Sequence, residues 1–432
     1  RFGYWMSLTL GDNQRDGTIL PERQYSREWD GAWYGATEVT DRGWSAEFLI
    51  PWSQMAMPKT SGTRNIGLYT SRKVAHLNER WGWPALPSSQ ARFISAFQPM
   101  HLDGVDPRQQ WSLFPSLATT FDSVDDKMRY KAGFDAFWRP STNFQLTATV
   151  NPDFGAVEAD DVDINLTANE TFFPEKRLFF QEGREIFNTT PRAGGNENFN
   201  RFAIINTRRI GSRPRELELP PGFELSDRQE LKPADVIAAG KATGQFGGFR
   251  YGLLAATEDE TSYVVNDETF AQDGRNFGTF RAIYEDSVNA AYRGLGFISS
   301  LVAHPESDAF VNGVDAHYLS TDGRWKLDGQ FVHSDIDEEG SGIGVLADIV
   351  YQPRQGLQHL LQLTYLDDTV DVNDFGFQQR NNMREARYRA VITKSDVSWA
   401  RDLELFPFIR YRENDEGFRV GASTGVFANI NR

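Results

Sequence analysis

From Tyr130 onward the chain alternates apolar and polar residues with a period of two. Phe144, Leu146, Ala148 and Val150 interleave with Asn143, Gln145, Thr147 and Thr149. Trp325, Leu327, Gly329 and Phe331 interleave with Lys326, Asp328 and Gln330, and the stretches Ile343 to Tyr351 and Leu357 to Tyr365 repeat the pattern. Neighbouring side chains of a strand point to opposite faces, so each run predicts a strand with one apolar and one polar face. The runs are about ten residues long, the length of a tilted membrane strand, whereas soluble strands average about five or six. Short turns at Phe246–Gly248, Ser320–Gly323 and Gln352–Gly356 alternate with longer polar loops at 258–276, 334–341 and 367–384. Short on one side and long on the other is the habit of outer-membrane barrels, and the pattern predicts about 14 or more strands. A soluble propeller or double sandwich also alternates, but no blade repeat of about 40–50 residues runs through this chain.

Residues 1–115 have another character: rich in Trp, with short strands broken by Gly, Asp and Pro. Trp44 to Trp52 alternates like a half-buried strand and stops at Pro51, and Gly11 to Gly17 reads as a turn-rich loop. This predicts a partial β-sandwich over 1–115. Pro99, Pro107, Pro115 and an Asp-rich end predict a linker, with its core at 116–129, before a barrel at 130–432. The expected fold class is therefore all-β: a transmembrane antiparallel β-barrel preceded by a partial β-sandwich module.

Asn151 to Gly183 breaks the alternation. It is acidic at first, then packs Phe172, Phe173, Phe179 and Phe180 around Pro174-Glu175-Lys176-Arg177. A solvated loop does not carry that apolar load, and a regular strand does not carry a proline in its middle. Residues 152–200 are expected to be a plug-like insertion whose four phenylalanines are buried. Its Glu175, Lys176 and Arg177 are expected to pair with charges of the barrel wall, for which Arg208, Arg209, Arg387, Arg389, Arg410 and Arg412 are suitable if they face inward. With the first strand at Tyr130 and a periplasmic N-terminal module, strand parity puts the insertion on the periplasmic side.

The pieces NPDF, VEAD, FFPEKR and FFQEG, in this order, resemble the signature of a family of bacterial proteins of uncharacterised function. These join a family 9-like carbohydrate-binding module to a C-terminal outer-membrane barrel domain, DUF5916. The N-terminal GDNQRDG, GWSAEFLIPWSQM and NIGLYTSRK are similar to the later part of such a module, whose first strands would precede Arg1. The opening Arg1-Phe-Gly-Tyr-Trp reads as mid-domain, so localisation is not read from a leader. The resemblance implies the outer membrane of a Gram-negative cell, with the module in the periplasm.

Composition narrows the function. A net charge of −15 and a pI near 5.0 argue against a nucleic-acid partner. Without cysteine there is no disulfide framework and no thiolate metal site. No apolar run reaches the roughly 18–20 residues of a membrane helix, and a mean hydropathy of −0.51 suits a soluble protein and a barrel equally.

The search for catalytic chemistry yields no motif. The six histidines are scattered, with no HExxH, nucleophile elbow or phosphate loop. Sixty acidic residues guarantee chance carboxylate pairs, so neither a catalytic nor a metal residue is assigned and no cofactor is expected. Asp153, Glu158, Asp160, Asp161 and Asp163 lack the spacing of a calcium loop and read better as a solvated acidic turn or as carboxylates paired with lumenal arginines. Trp29, Trp33, Trp81 and Trp83 lie near loop-like Asp and Pro residues and are the candidates for stacking on a sugar, while Trp44 and Trp52 read as core. The expected role is a barrel that binds, anchors or passes a glycan or a periplasmic or secreted protein, with outer-membrane lipid as its surroundings. A glycan-degrading O-glycosyl hydrolase and a protein-docking scaffold are the alternatives.

Overall fold

The long alternating runs form one antiparallel sheet. The structure is a computed structural model and describes all residues except 1–2, 21–23, 28, 30, 56, 58–61, 78, 88–91, 106–109, 123–125, 142, 155–164, 166–168, 195–200, 215–218, 289–290 and 432. Fourteen strands pair strictly with their neighbours in the chain. They are β1 (Gln110–Asp122), β2 (Lys127–Ser141), β3 (Phe144–Val150), β4 (Val236–Phe246) and β5 (Phe249–Glu258). Next come β6 (Asn276–Val288), β7 (Ala291–Ala303), β8 (Ala309–Leu319), β9 (Trp325–Ile336) and β10 (Gly340–Arg354). The last four are β11 (Leu357–Leu366), β12 (Met383–Val397), β13 (Ala400–Glu413) and β14 (Arg419–Asn431). Among the described residues no ladder joins β1 to β14.

Alternation sets the faces as expected. Along β9, Trp325, Leu327 and Phe331 are exposed, while Asp328, Gln330 and Val332 are buried. Leu295, Phe310, Val345 and Leu363 continue the outer apolar face, which suits lipid. An aromatic row marks one rim of that face: Trp325 stacks on Tyr351 at 4.2 Å, Tyr351 neighbours His359, and His359 contacts the Tyr388 hydroxyl at 2.7 Å. Phe246, Phe249 and Tyr284 extend the row, as in the aromatic girdle of a membrane barrel.

The same rim carries the short connections. Gly247, Gly323 and Gly356 supply the positive φ of its tight turns, at 56°, 71° and 76°. The opposite rim carries 151–235, 259–275 and 367–382; the second of these forms a small hairpin, Thr261–Val265 with Glu268–Gln272.

One correction concerns the start of the barrel. Residues 110–122, placed largely in a linker by the prolines, form the 13-residue strand β1, paired along its length with β2. Pro115 fits because β1 is an edge strand of this sheet, where a missing N–H removes no ladder bond on the open side. This additional strand reverses the parity. The chain enters the sheet at the short-turn rim and leaves β3 for the insertion at the long-loop rim, opposite to the expected end.

The N-terminal residues form separate small antiparallel units. Gly3–Leu8, Gln14–Leu20 and Gln24–Ser26 make three strands, and Tyr34–Thr40 pairs with Gly43–Leu49. Arg64–Leu68 pairs with Gln98–Leu102, and Thr70–Val74 with Glu79–Trp83. They lie at the short-turn rim: Arg92 donates to the Ser320 carbonyl at 3.2 Å, Arg139 to the Ser53 carbonyl and Arg401 to the Leu77 carbonyl.

Candidate functional site

The inner face of the sheet is filled by the insertion and by the loop between β11 and β12. One continuous hydrophobic core joins Phe179, Phe180, Ile186, Phe187, Ile204 and Ile210 of the insertion to Leu254, Ile283, Ile298, Val332 and Leu346 of the wall. Val370, Val372 and Phe375 of the 367–382 loop belong to the same core. Phe202–Ala203 and Phe377–Gln378 form a two-stranded ladder that ties insertion and loop together. Phe172 packs edge-on against Phe377 at 5.1 Å. Of the four phenylalanines, Phe179 and Phe180 are buried, and Phe172 and Phe173 are half-buried.

The FFPEKR piece forms a knot within the insertion. Glu175 accepts from Arg177 Nε at 2.9 Å and Nη2 at 2.7 Å, and from the Thr207 hydroxyl at 2.7 Å. Arg177 also donates to the carbonyls of Ile210 and Thr207, and its guanidinium lies over the rings of Phe154 and Phe180 at 4.7 and 4.3 Å. Burial alone would raise the Glu175 carboxyl, but the bonds from Arg177 and Thr207 outweigh it and hold the group below the usual carboxylate range. These two residues therefore pair with each other, which corrects the expectation of pairing with the wall. A buried carboxylate and guanidinium two residues apart satisfy each other with less ordering of the chain than distant partners require. Lys176 is half-buried, and its backbone N–H bonds Glu175 at 3.0 Å. Arg208 and Arg209, expected on the wall, lie in the insertion, where Arg209 pairs with Glu170 at 2.7 Å.

Other residues dock the insertion to the wall. Arg192 pairs with Asp348 of β10 at 2.9 Å and donates to the Thr364 hydroxyl at 2.6 Å. Its remaining donors reach the carbonyls of Ala347 and Leu363. Lys241 of β4 donates to the Phe179 carbonyl at 2.7 Å, and Gln330 of β9 to the Thr189 hydroxyl at 2.7 Å. Arg281 of β6 donates to the Ile186 carbonyl at 3.2 Å while forming a two-pronged pair with Asp315 at 2.7 Å on each side. The alternation along β9 and β10 put Gln330 and Asp348 on the polar face, whereas Lys241 of β4 and Arg281 of β6 were not singled out, and nothing in the sequence named the partners of any of them.

Two cavities beside the plug are lined by charged residues of both the insertion and the wall. One of about 70 Å³ lies near the short-turn rim, between Glu185 of the insertion and Arg250, Glu285 and His317 of the wall. The other, about 270 Å³, lies toward the long-loop rim among Arg192, Arg201, Arg380, Arg410 and Arg412.

The tryptophan candidates divide. Trp29 and Trp33 are buried, at 7% and 5% exposure; Trp33 stacks on Phe48 and donates to Asp16 at 2.7 Å. They act as core, since their ring faces are covered by neighbours. Trp81 and Trp83 are exposed on the strand Glu79–Trp83, and Trp44, read as core, is exposed as well, because the described residues cover little of the hairpin that carries it. The acidic residues after Asp153 lie outside the described residues, apart from Asp153 itself.

A fourteen-stranded antiparallel meander, apolar outside, polar and plugged inside, with short turns on one rim and long loops on the other, is the fold of an outer-membrane β-barrel. The family described as Domain of unknown function (DUF5916) matches residues 107–399, and the chain belongs to it. Among solved structures it is similar to the anion-selective porin from Comamonas acidovorans, at TM-score 0.30 and 12% identity over 75% of this chain and 95% of that one. It is also similar to OmpT, an outer membrane protein of Vibrio cholerae, in a trimer form folded in vitro, at TM-score 0.22 and 10% identity over 74% of this chain and 98% of that one. Likenesses this remote carry no argument about function. No curated protein matches the sequence.

Proposed function

We propose that this protein is a plugged outer-membrane barrel that controls the passage of a small polar solute, with its N-terminal units on the periplasmic side. The observation that carries this reading is the docking of the insertion along the wall through buried polar contacts, Arg192 to Asp348 above all. A purely structural filler needs only apolar packing. Hydrogen-bonded ionic contacts across an interface are expensive to bury and can be exchanged for water when the two parts separate, which suits a plug that moves. Periplasmic N-terminal units also fit the usual arrangement, because they lie at the rim with short turns. The test is conductance of the full chain in planar bilayers, compared with a variant lacking 172–182. The closed protein should conduct little and the variant more; equal conductance together with equal detergent stability would refute control by the plug.

A second reading rests on the hairpin Thr70–Val74 and Glu79–Trp83. Arg72 lies over the Trp81 ring at 4.6 Å, and the Trp81 indole donates to Glu79 at 2.8 Å, which fixes an exposed flat ring beside Trp83. Such a platform suits stacking on a sugar face, so the N-terminal units would hold a glycan while the barrel anchors them. A glycan array probed with the wild type and Trp81→Ala tests it, with loss of signal expected in the variant. No signal from either would favour a protein partner.

A further inference from the structure

We propose that the cavity of about 270 Å³ between the insertion, the 367–382 loop and the wall strands β10 to β13 is a binding site for the oxyanion group of a small solute. The proposal deepens the passage reading by naming the chemistry of the solute.

Five guanidinium groups line this space and, among the described residues, no carboxylate does. Chain elements far apart in sequence supply them: Arg192 and Arg201 from the insertion, Arg380 from the loop, and Arg410 and Arg412 from β13. The overall charge is −15, so a local excess of cations runs against the composition. The carboxylates behind the cavity are shared out. Asp348 bonds Arg192, and Glu385 accepts from both Arg410 and Arg412 at 2.7 Å.

The register adds a second observation. Arg387 of β12 lies directly opposite Arg410 of β13. Like charges directly opposite destabilise a strand pair. Glu385, already bonded to Arg410 and Arg412, offsets part of this repulsion, and a further anion beside the cluster would offset more. Guanidinium is the donor suited to this task, since its planar fork bonds two oxygens of a phosphate or carboxylate at once.

Gln378 lines the same cavity, is 4% exposed, and donates from its amide to the Val370 carbonyl at 2.8 Å, which holds the loop against the space. The volume holds several waters at about 30 Å³ each, or one hydroxylated small anion, such as a sugar phosphate or sugar acid, in their place.

The experiment is calorimetric titration of the purified full chain in detergent at low ionic strength, using inorganic phosphate, glucose 6-phosphate and glucose. Both phosphate probes should bind and glucose should not. The double variant Arg380→Gln and Arg410→Gln should weaken phosphate binding by about tenfold or more, and added salt should weaken it in the wild type. Heat-modifiable gel mobility checks that the barrel has folded. If the double variant does not fold, Arg380→Gln alone, on the loop, carries the test. Tighter binding of glucose 6-phosphate than of phosphate supports the hydroxylated solute, and equal binding supports the bare anion. Absence of phosphate binding, or equal affinity in wild type and folded variant, overturns the proposal. Calorimetry reads occupancy without conductance, so its failure leaves the plug's control of passage standing, and a plug that never opens would leave the site standing.

Discussion

Replacing Asp348 by Leu should release the plug. In the wild type Arg192 is buried, at 3% side-chain exposure, against an Asp348 side chain at 5%. Asp348 also accepts from Gln362 at 2.6 Å, so both its oxygens are used. Leucine leaves the guanidinium with a hydroxyl and two carbonyls but no opposing charge. Removing one partner of a buried pair costs about 3–5 kcal/mol, chiefly because the other charge stays behind uncompensated. That loss shifts the equilibrium between docked and undocked plug by roughly two to three and a half orders of magnitude. Trypsin cleavage of the insertion in detergent-solubilised protein reports the undocked population when reclosing outpaces cleavage. Cleavage should therefore accelerate steeply while the barrel keeps its heat-modifiable mobility. Arg192→Met combined with Asp348→Leu removes both charges and should recover most of the docking, since apolar pairs often replace buried ion pairs without loss. The exposed pair Arg324 and Asp322, at 58% and 53%, is the control; breaking it should leave the cleavage rate unchanged, because solvent screens such a pair. The reasoning is wrong if Asp348→Leu is cleaved at the wild-type rate, or if the double variant is cleaved faster than the single one.

Leu327→Arg places a charge on the outer face and should oppose insertion by about 2–4 kcal/mol near the midplane, measurable as loss of folded protein in lipid vesicles. Gln330→Arg should insert normally yet increase plug cleavage, because Gln330 bonds Thr189 and a longer side chain cannot keep that contact. Deleting 172–182 removes Phe179 and Phe180, each worth about 1.5–3 kcal/mol of burial, and should raise single-channel conductance. Glu175 is held below its ordinary value in the folded plug. Its stabilisation is therefore fully present above the unfolded value of about 4.3 and lost only as the pH falls through the lower folded value. Plug cleavage by an acid protease should rise there, and Glu175→Gln should remove that dependence. Trp33→Ala should lower the melting temperature of the N-terminal units, whereas Trp83→Ala should leave it unchanged, as tryptophan fluorescence would report.

The wall was legible because its period of two survives from β3 to β14. Phe331 faces out and Gln330 in for the same reason that Leu363 faces out and Thr364 in. The insertion was legible as an apolar intrusion, since Phe179 and Phe180 had no strand to belong to. Strand β1 was missed because Pro115 argues against a strand unless its missing N–H falls where no ladder bond is needed, as on the open side of an edge, and edge position is a property of the assembled sheet. The rim assignment failed with it. The pairing of Arg177 with Glu175, against the expected wall, and the shared use of Glu385 by two arginines depend on side-chain directions that spacing does not encode. The tryptophans near loops were misjudged for a similar reason: Trp33 finds its cover in Phe48, on a strand 15 positions later.

The insertion also has a bearing on assembly. Every wall pairing joins consecutive strands, but one connection is far longer than the rest: β3 meets β4 across residues 151–235. Hairpin pairing is local and rapid, so β4 to β14 can zip in order, while the β3–β4 seam must wait for a long loop to close. Most strands that grip the insertion, β4, β6, β9 and β10 among them, follow it in the chain, while β2, whose Arg139 pairs with Glu182 at 2.6 Å, precedes it. A segment that emerges before its enclosure serves as the mandrel around which the wall is rolled. Strands arriving later find a partly apolar surface to settle on, and a plug posted afterwards through a finished pore is topologically unnecessary.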